Sequence, residues 1–506
     1  MGERAARWRG ATSTCRLALA AALVVFTSSA LATPASGAPA TALPATIRVN
    51  VAGLGVSRVL IASASTLTLT APDGHMLYRG PAPILVRLGV RRGTTTGAEI
   101  LPSGDSADPL SLRALLHEAR LERATAVAPE IATIPFEVAV LENANDGTEP
   151  PLLAARAIVG VRFATDAGFL SFNGRLFRGA LEIARDDEGD MIVVNTVATN
   201  EYLASVVGSE VPSSWAPEAL AAQAIAARTY LLTHLGRHDA YDLEGDTRDQ
   251  QYDGVLSEAP STTLAVRRTS GVVATYRGVP ISALYSANMG GRTEDSENVF
   301  PNALPYLRGV ASPGDSVALA SDWGRHGYTW NLEYTPKQLR TFMARRGIDV
   351  GDVRTIQLLQ VTAAGTVVRS RVIGSAGSRD IGKDGSRYYF GLKSGVFTVA
   401  LHTNDESEDV PRRDDVRLRD MDVLGAELAG TVYTPVPGSD SEPQEFVPSA
   451  FRYQLPHRWV FDGRGFGHGV GMSQWGAQGM ALAGATHEQI LTHYYQGIAL
   501  TQVGGG

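Results

Sequence analysis

Apolar and polar positions change period along this chain, and each change marks an element. Between residues 41 and 150, TIRVNVAG, RVLIASASTLTLTAP and ILVRLGV alternate every second residue between Gly, Pro and Asp breaks, which predicts a β-rich region. Inside it, DPLSLRALLHEARLERATAV carries a helical period. From about 155 to 400 strands mix with helices. In EYLASVV, Leu203, Val206 and Val207 share one helical face, with Asn200 the expected N-cap and Gly208 the expected exit. Pro217 fits a first helical position with Glu218 beside it, and an alanine-rich run continues to about Leu232. Ile281, Ala283 and Tyr285 alternate as a strand that ends at the Gly290–Gly291 turn. The charged NDESEDVPRRDDVRLRDMD and Pro/Ser-rich TPVPGSDSEPQEFVPS, within residues 403–449, read as a mobile surface insertion. THEQILTHYYQG has a capping box from Thr486 to Gln489 and an exit glycine at 497, a closing helix. The predicted class is α+β: a β-rich N-terminal region at 41–150, then a mixed α/β core at 155–400 completed by 450–502.

Candidate chemistry clusters in three places. Glu210 is expected in a short loop between Gly208 and Pro212. It reads either as a solvated carboxylate or as an acid presented by two helices, with Val211, Pro212 and Trp215 as apolar neighbours that raise its pKa. Arg228, inside AAQAIAART, must reach solvent or find an anionic or carbonyl partner. A structural ion pair with Glu201 or Glu294 and a ligand-facing role both stay open. Gln223 lies five residues earlier, about 140° around the helix. Tyr285, Ser286 and Asn288 offer a ring face and hydrogen-bonding groups, or simply a core strand and its turn. In GRGFGHGVGMSQWG the glycines at 463, 465, 467, 469 and 471 imply unusual backbone angles or close approach. His468 sits between two of them, and Ser473, Gln474 and Trp475 follow.

Several of these segments follow one another in the order of a known family. They are NGRLFRGALEIARDDEGDMIVVNTVATNEYL, VVGSEVPSSWAPEALAAQAIAARTY, GVPISALYSANMGGRTEDSENVF, YFGLKSGVFTV and GRGFGHGVGMSQWGAQGMALAGATHEQILTHYYQGIAL. Over roughly residues 160–400 and 450–500 the chain resembles the stage II sporulation protein D family, the SpoIID/LytB domain. The resemblance implies work on peptidoglycan glycan strands in a groove of the core. Members are similar to lytic transglycosylases that cut MurNAc–GlcNAc bonds in peptide-stripped strands, and some are described as enhancers of cell-wall amidases. The family's catalytic glutamate falls on Glu210 and its helix arginine on Arg228. The candidate substrate-binding set is Arg228, Gln223, Gln250, Tyr285, Ser286, His468, Ser473 and Gln474. Some relatives carry a His–Cys zinc sequence where this chain has Arg248 and Asp249 in GDTRDQQYDG. No metal and no cofactor are therefore expected. His234 and His238, four apart at a helix end, have a spacing that suits a metal but also suit a solvated C-terminus.

Forming a 1,6-anhydro end without water needs one group acting as acid and then as base, which Glu210 alone can supply. Hydrolysis more often uses a second carboxylate, for which Glu201, Glu294 and Asp295 are the candidates. A non-enzymatic glycan binder that stimulates an amidase is the reading from a different class.

Composition adds a location. Arg4, Arg7, Arg9 and Arg16 precede the apolar LALAAALVVF, and small residues run to Ala30-Leu31-Ala32. This is the order of a secretory signal over residues 1–32, with a retained membrane anchor as the alternative, so the protein is expected in the periplasm or cell envelope. The single cysteine, Cys15, precedes the apolar run, so no disulfide is expected after it. At 506 residues the chain can bury a full core without one. A formal charge of −7 gives no basic footprint for nucleic acid. The expected partners are glycan strands and, on the second reading, a cell-wall amidase.

Overall fold

Alternation in TIRVN puts Ile47 and Val49 on one face of strand Thr46–Asn50 (β1), and both are fully buried. The computed structural model describes residues 42–52, 58–81, 84–88, 136–140, 152–154, 160–186, 190–402 and 457–504. In it β1 pairs antiparallel with Met191–Ala198 (β2) and parallel with Leu243–Glu244. β2, MIVVNTVA, is an apolar run because it is covered on both faces: Val193 and Val197 enter the main core while Ile192 and Val194 pack with Tyr241. The sheet continues from β2 through Ala180–Arg185, Val161–Thr165 and Leu67–Thr70 to Met76–Gly80. A second, six-stranded sheet joins Arg58–Ser63 and Ile84–Leu88 to Leu170–Phe172. The class is α+β with a strand-rich N-terminal region. That region differs from the expectation of a separate 41–150 unit. Its strands are interleaved with those of residues 160–198, and one core runs from Leu43 to Tyr495.

Helix Thr199–Glu210 (α1) follows β2 without a loop. Its N-cap is Ala198 and not Asn200, and the Thr199 hydroxyl instead donates to the Pro44 carbonyl. Gly208 is not an exit. It lies inside α1, where a Cβ would collide with the Ser257 carbonyl of the turn packed across it. α1 therefore reaches Glu210, which is its last residue and not a loop residue. Helix Pro217–His234 (α2) starts at proline as expected and is buried nearly all round, which is why its sequence shows no polar stripe. It packs against α1, Pro260–Arg268 (α3), strand Val272–Tyr276, Gln474–Leu482 (α4) and His487–Tyr494 (α5). The capping box of α5 forms between Thr486 and Gln489.

A second core gathers Trp330, Phe390, Phe397 and Phe461 around the sheet Thr329–Tyr334, Arg458–Arg464 and Phe397–His402. The 450–502 segment is thus divided: strand Arg458–Arg464 serves this second core, and Val470 onward serves the first. The 1–32 signal, the helix expected in DPLSLRALLHEARLERATAV and the 403–449 insertion lie outside the described residues. Among the described residues no helix is long and apolar enough to cross a membrane.

Candidate active site

Two short strands set the site. Tyr285–Ser286 (β3) and Met472–Ser473 (β4) pair in parallel, Tyr285 with Met472 and Ser286 with Ser473, and the Trp475 amide donates to the Ala287 carbonyl. This register holds Tyr285 beside the first residue of α4, Gln474. The alternating glycines make it possible. Gly465, Gly467, Gly469 and Gly471 have φ of 86°, 116°, 82° and 80°, and a Cβ at Gly467 would strike Ser286. Gly463 departs from the pattern, lying in ordinary strand backbone under the Trp330 ring.

Onto this joint α1 delivers Glu210. One carboxyl oxygen accepts from the Gln251 amide at 2.8 Å and the other from Gln474 Nε2 at 3.1 Å, while the Tyr285 hydroxyl donates a third bond. Every donor is neutral. Burial pushes the Glu210 carboxyl above the ordinary carboxylate value against the pull of these three bonds, and the nearby Asp253 charge adds to the rise. A carboxylate at a helix C-terminus also meets the negative end of the helix dipole. Glu210 nonetheless keeps partial exposure to solvent. Of its expected apolar neighbours, Val211 and Trp215 are buried and Pro212 is exposed. Trp215 packs on Trp475 at 4.8 Å, and Trp475 in turn on Trp323 at 5.7 Å, a residue that is 52 % exposed.

Behind Tyr285 stands a buried relay. Tyr202 donates to Gln250 Oε1 at 3.1 Å, and Gln250 Nε2 donates to Tyr285 Oη at 2.8 Å and to the Ala227 carbonyl. Tyr285, its phenol pushed up by burial and by the Glu210 charge, stays a donor. His468 is one step further out. Its Nδ1 accepts from the Val470 amide at 3.1 Å, and its other nitrogen donates to the Tyr285 carbonyl. Burial and the Arg387 charge lower its pKa to about 4, so at neutral pH it is an uncharged ring in one tautomer that fixes the Tyr285 backbone.

The remaining candidates fall away from Glu210. Arg228 is fully buried, and its expected ion pair with Glu201 or Glu294 does not form. Its guanidinium donates to the Val266 and Val272 carbonyls at 3.0 and 3.2 Å and to Thr269 Oγ1 at 3.2 Å. Burial lowers its pKa to about 10, which leaves it charged. These bonds make Arg228 the tie between α2, α3 and the strand that follows α3, not a ligand contact. Gln223, on the α2 face that also carries Ala227, is 1 % exposed with neither amide atom partnered. Ser473 caps α4 and donates to buried Asp315, and Ser286 accepts from the Gly469 amide at 3.4 Å. Asn288 holds the Gly290 turn.

None of the expected second carboxylates is free. Glu201 stands nine residues before Glu210, roughly 13 Å along the helix. Glu294 accepts from the Asp295 amide, Asn298 and Thr362, and Asp295 from the Gly309 amide. Arg248 pairs with Glu244 and Asp246, and Asp249 with Arg237 and Tyr230. Among the described residues no cluster of three His, Cys, Asp or Glu suits a metal. His234 is buried, stacked on Tyr230 at 3.7 Å with its pKa lowered to about 4, not a solvated helix end. The Gln251 amide and Asp253 are the parts that sequence reasoning missed. A backbone donor has no side-chain signal, whereas the acid of QQYD was visible in sequence.

Residues 187–276, which include α1, α2 and the QQYD loop, match the family model described as Stage II sporulation protein. An uncharacterized protein of Brachyspira hyodysenteriae is 27% identical over 344 residues, 67% of this chain and 76% of that protein. The amidase enhancer of Bacillus subtilis is 28% identical over 318 residues, 59% of this chain and 40% of the enhancer. Stage II sporulation protein D of the same organism is 27% identical over 328 residues, 61% of this chain and 76% of that protein.

Proposed function

Taking as premise that the chain belongs to the stage II sporulation protein D family, we propose that it is an exported lytic transglycosylase of peptidoglycan glycan strands, with Glu210 as acid and then base. The observation that carries this reading is the neutral grip on Glu210: a desolvated carboxyl at the end of α1 with three uncharged donors. Protonated, Glu210 gives its proton to the glycosidic oxygen as the bond to MurNAc C1 breaks and GlcNAc leaves as an alcohol. The Gln251 amide, Gln474 and Tyr285 then stabilise the new carboxylate. That carboxylate takes the proton of the C6 hydroxyl as its oxygen closes on C1, so the 1,6-anhydro ring forms, Glu210 is protonated again and no water is consumed. The row from Trp215 to exposed Trp323 offers an apolar ring face to neighbouring sugars.

One further observation favours a second reading. A relative that matches 59% of this chain is named an amidase enhancer, which fits a protein that binds strands for a cell-wall amidase. Mass spectrometry of purified strands, with and without stem peptides, separates the two after incubation with wild type and with Glu210→Gln. Anhydro ends from wild type alone support the transglycosylase. Strand binding by both proteins with cleavage by neither supports the enhancer.

A further inference from the structure

The loop that supplies the Gln251 amide also brings up a second acid. The main-chain N–H of Gln251 donates to Glu210 Oε1 at 2.8 Å, and its side-chain amide donates to Asp253 Oδ1 at 3.1 Å. One residue thus clasps both carboxyl groups. The Asp253 amide donates to Ser209 Oγ at 3.2 Å, which fixes the loop to the last turn of α1. Asp253 begins the short turn Gly254–Ser257, yet its side chain makes no capping bond there. Among the described residues its carboxylate meets Gln251 and, at 3.9 Å, Arg175 Nη1, and its side chain is 41 % exposed. Arg175 itself is committed elsewhere, donating to the Val51 and Tyr252 carbonyls. Asp253 is thus the charge that faces half-buried Arg175, and through Gln251 it is also linked to Glu210.

We infer that Asp253 is a positioning residue for the acid: its charge, clasped beside Glu210 through Gln251, adds to the bias of Glu210 toward the protonated form. The groups facing Glu210 are Asp253, Tyr285, Tyr202, Gln474 and the Gln251 amide, and those facing Asp253 are Arg175, Gln251 and Glu210. Burial is the main cause that favours the protonated form, the Asp253 charge adds to it, and the three donors to Glu210 oppose both. Removing the Asp253 charge lowers the Glu210 pKa. If the acid form is the active one, the descending limb of kcat/KM then moves to lower pH.

The role assigned to Asp253 rests on the acid role proposed for Glu210, and the test separates the two. The carboxyl carbon of Glu210, assigned by its absence in Glu210→Gln, is titrated by NMR in the full chain, in Asp253→Asn and in Asp253→Glu. The result expected is a Glu210 midpoint lower in Asp253→Asn by a few tenths to about one pH unit, recovered in part by Asp253→Glu. A midpoint unmoved in Asp253→Asn overturns the inference, whatever the cleavage assay shows. Loss of cleavage at every pH with that midpoint unmoved also overturns it, because Asp253 then acts on substrate or fold and not through Glu210. Full cleavage by Glu210→Gln sinks the proposed function instead, and leaves the titration to judge Asp253 alone.

Discussion

Two carboxyl groups in this protein, Glu210 and Asp315, are held by neutral donors, and burial raises the pKa of both. Asp315 is fully buried and saturated: Ser312 and Ser473 donate to one oxygen, and the Met289 and Gly291 amides to the other. Glu210 has three donors, and the residue as a whole is only partly shielded from solvent. Asp315 seals the joint between the glycine turn and α4. Glu210 stands at the edge of that joint with lone-pair capacity left for a ligand proton. A raised pKa is common to both, so it does not mark a site by itself; the fourth donor, which Asp315 has and Glu210 lacks, is the difference.

The largest effect expected from breaking this comparison is on activity. Glu210→Gln should lower kcat for strand cleavage by about 10²–10⁴-fold, read from release of anhydro ends. Its fold should not suffer. A folded pKa raised above the unfolded one means that wild type loses stability as pH rises from the unfolded pKa through the folded one. Glu210→Gln is spared that loss, so in thermal melts it should match wild type in acid and equal or exceed it at neutral pH. Asp315→Ala should behave in the opposite way. It orphans four donors and should cost about 3 kcal/mol or more in denaturant unfolding, with activity following the folded fraction.

Arg228 supplies a further contrast. Arg228→Lys cannot reach two carbonyls and a hydroxyl at once, and should cost about 2 kcal/mol with an unchanged KM for folded protein. A raised KM with unchanged stability would return Arg228 to the substrate. The smallest effect sharpens Glu210 itself. Tyr285→Phe removes a donor to the carboxylate, so the Glu210 pKa should rise and the descending limb of kcat/KM move up by less than about one pH unit. This shift is opposite in sign to the one expected for Asp253→Asn.

The same contrast explains what could be read from the sequence. Local rules placed the proline start of α2, the capping box of α5 and the strand preference of Tyr285, because each depends on residues within a turn or two. They picked out Glu210, Tyr285 and Gln474, which the fold brings together. They misjudged Gly208 and left open which partner Arg228 finds, because the surroundings of both are made by distant segments: the Ser257 carbonyl against one, and the Val266 and Val272 carbonyls around the other. The interleaving of residues 42–88 with 160–198 was hidden for the same reason, since strand pairing across such separations leaves no local period.

Cleavage of purified glycan strands in heavy-oxygen water tests the central claim most directly. If Glu210 turns the C6 hydroxyl of the same sugar into the nucleophile, the new ends are anhydro sugars without solvent oxygen, and Glu210→Gln makes none. New reducing ends carrying the heavy oxygen would contradict the account, because water would then be the nucleophile and a second group, with Asp253 on the neighbouring loop a candidate, would have to activate it.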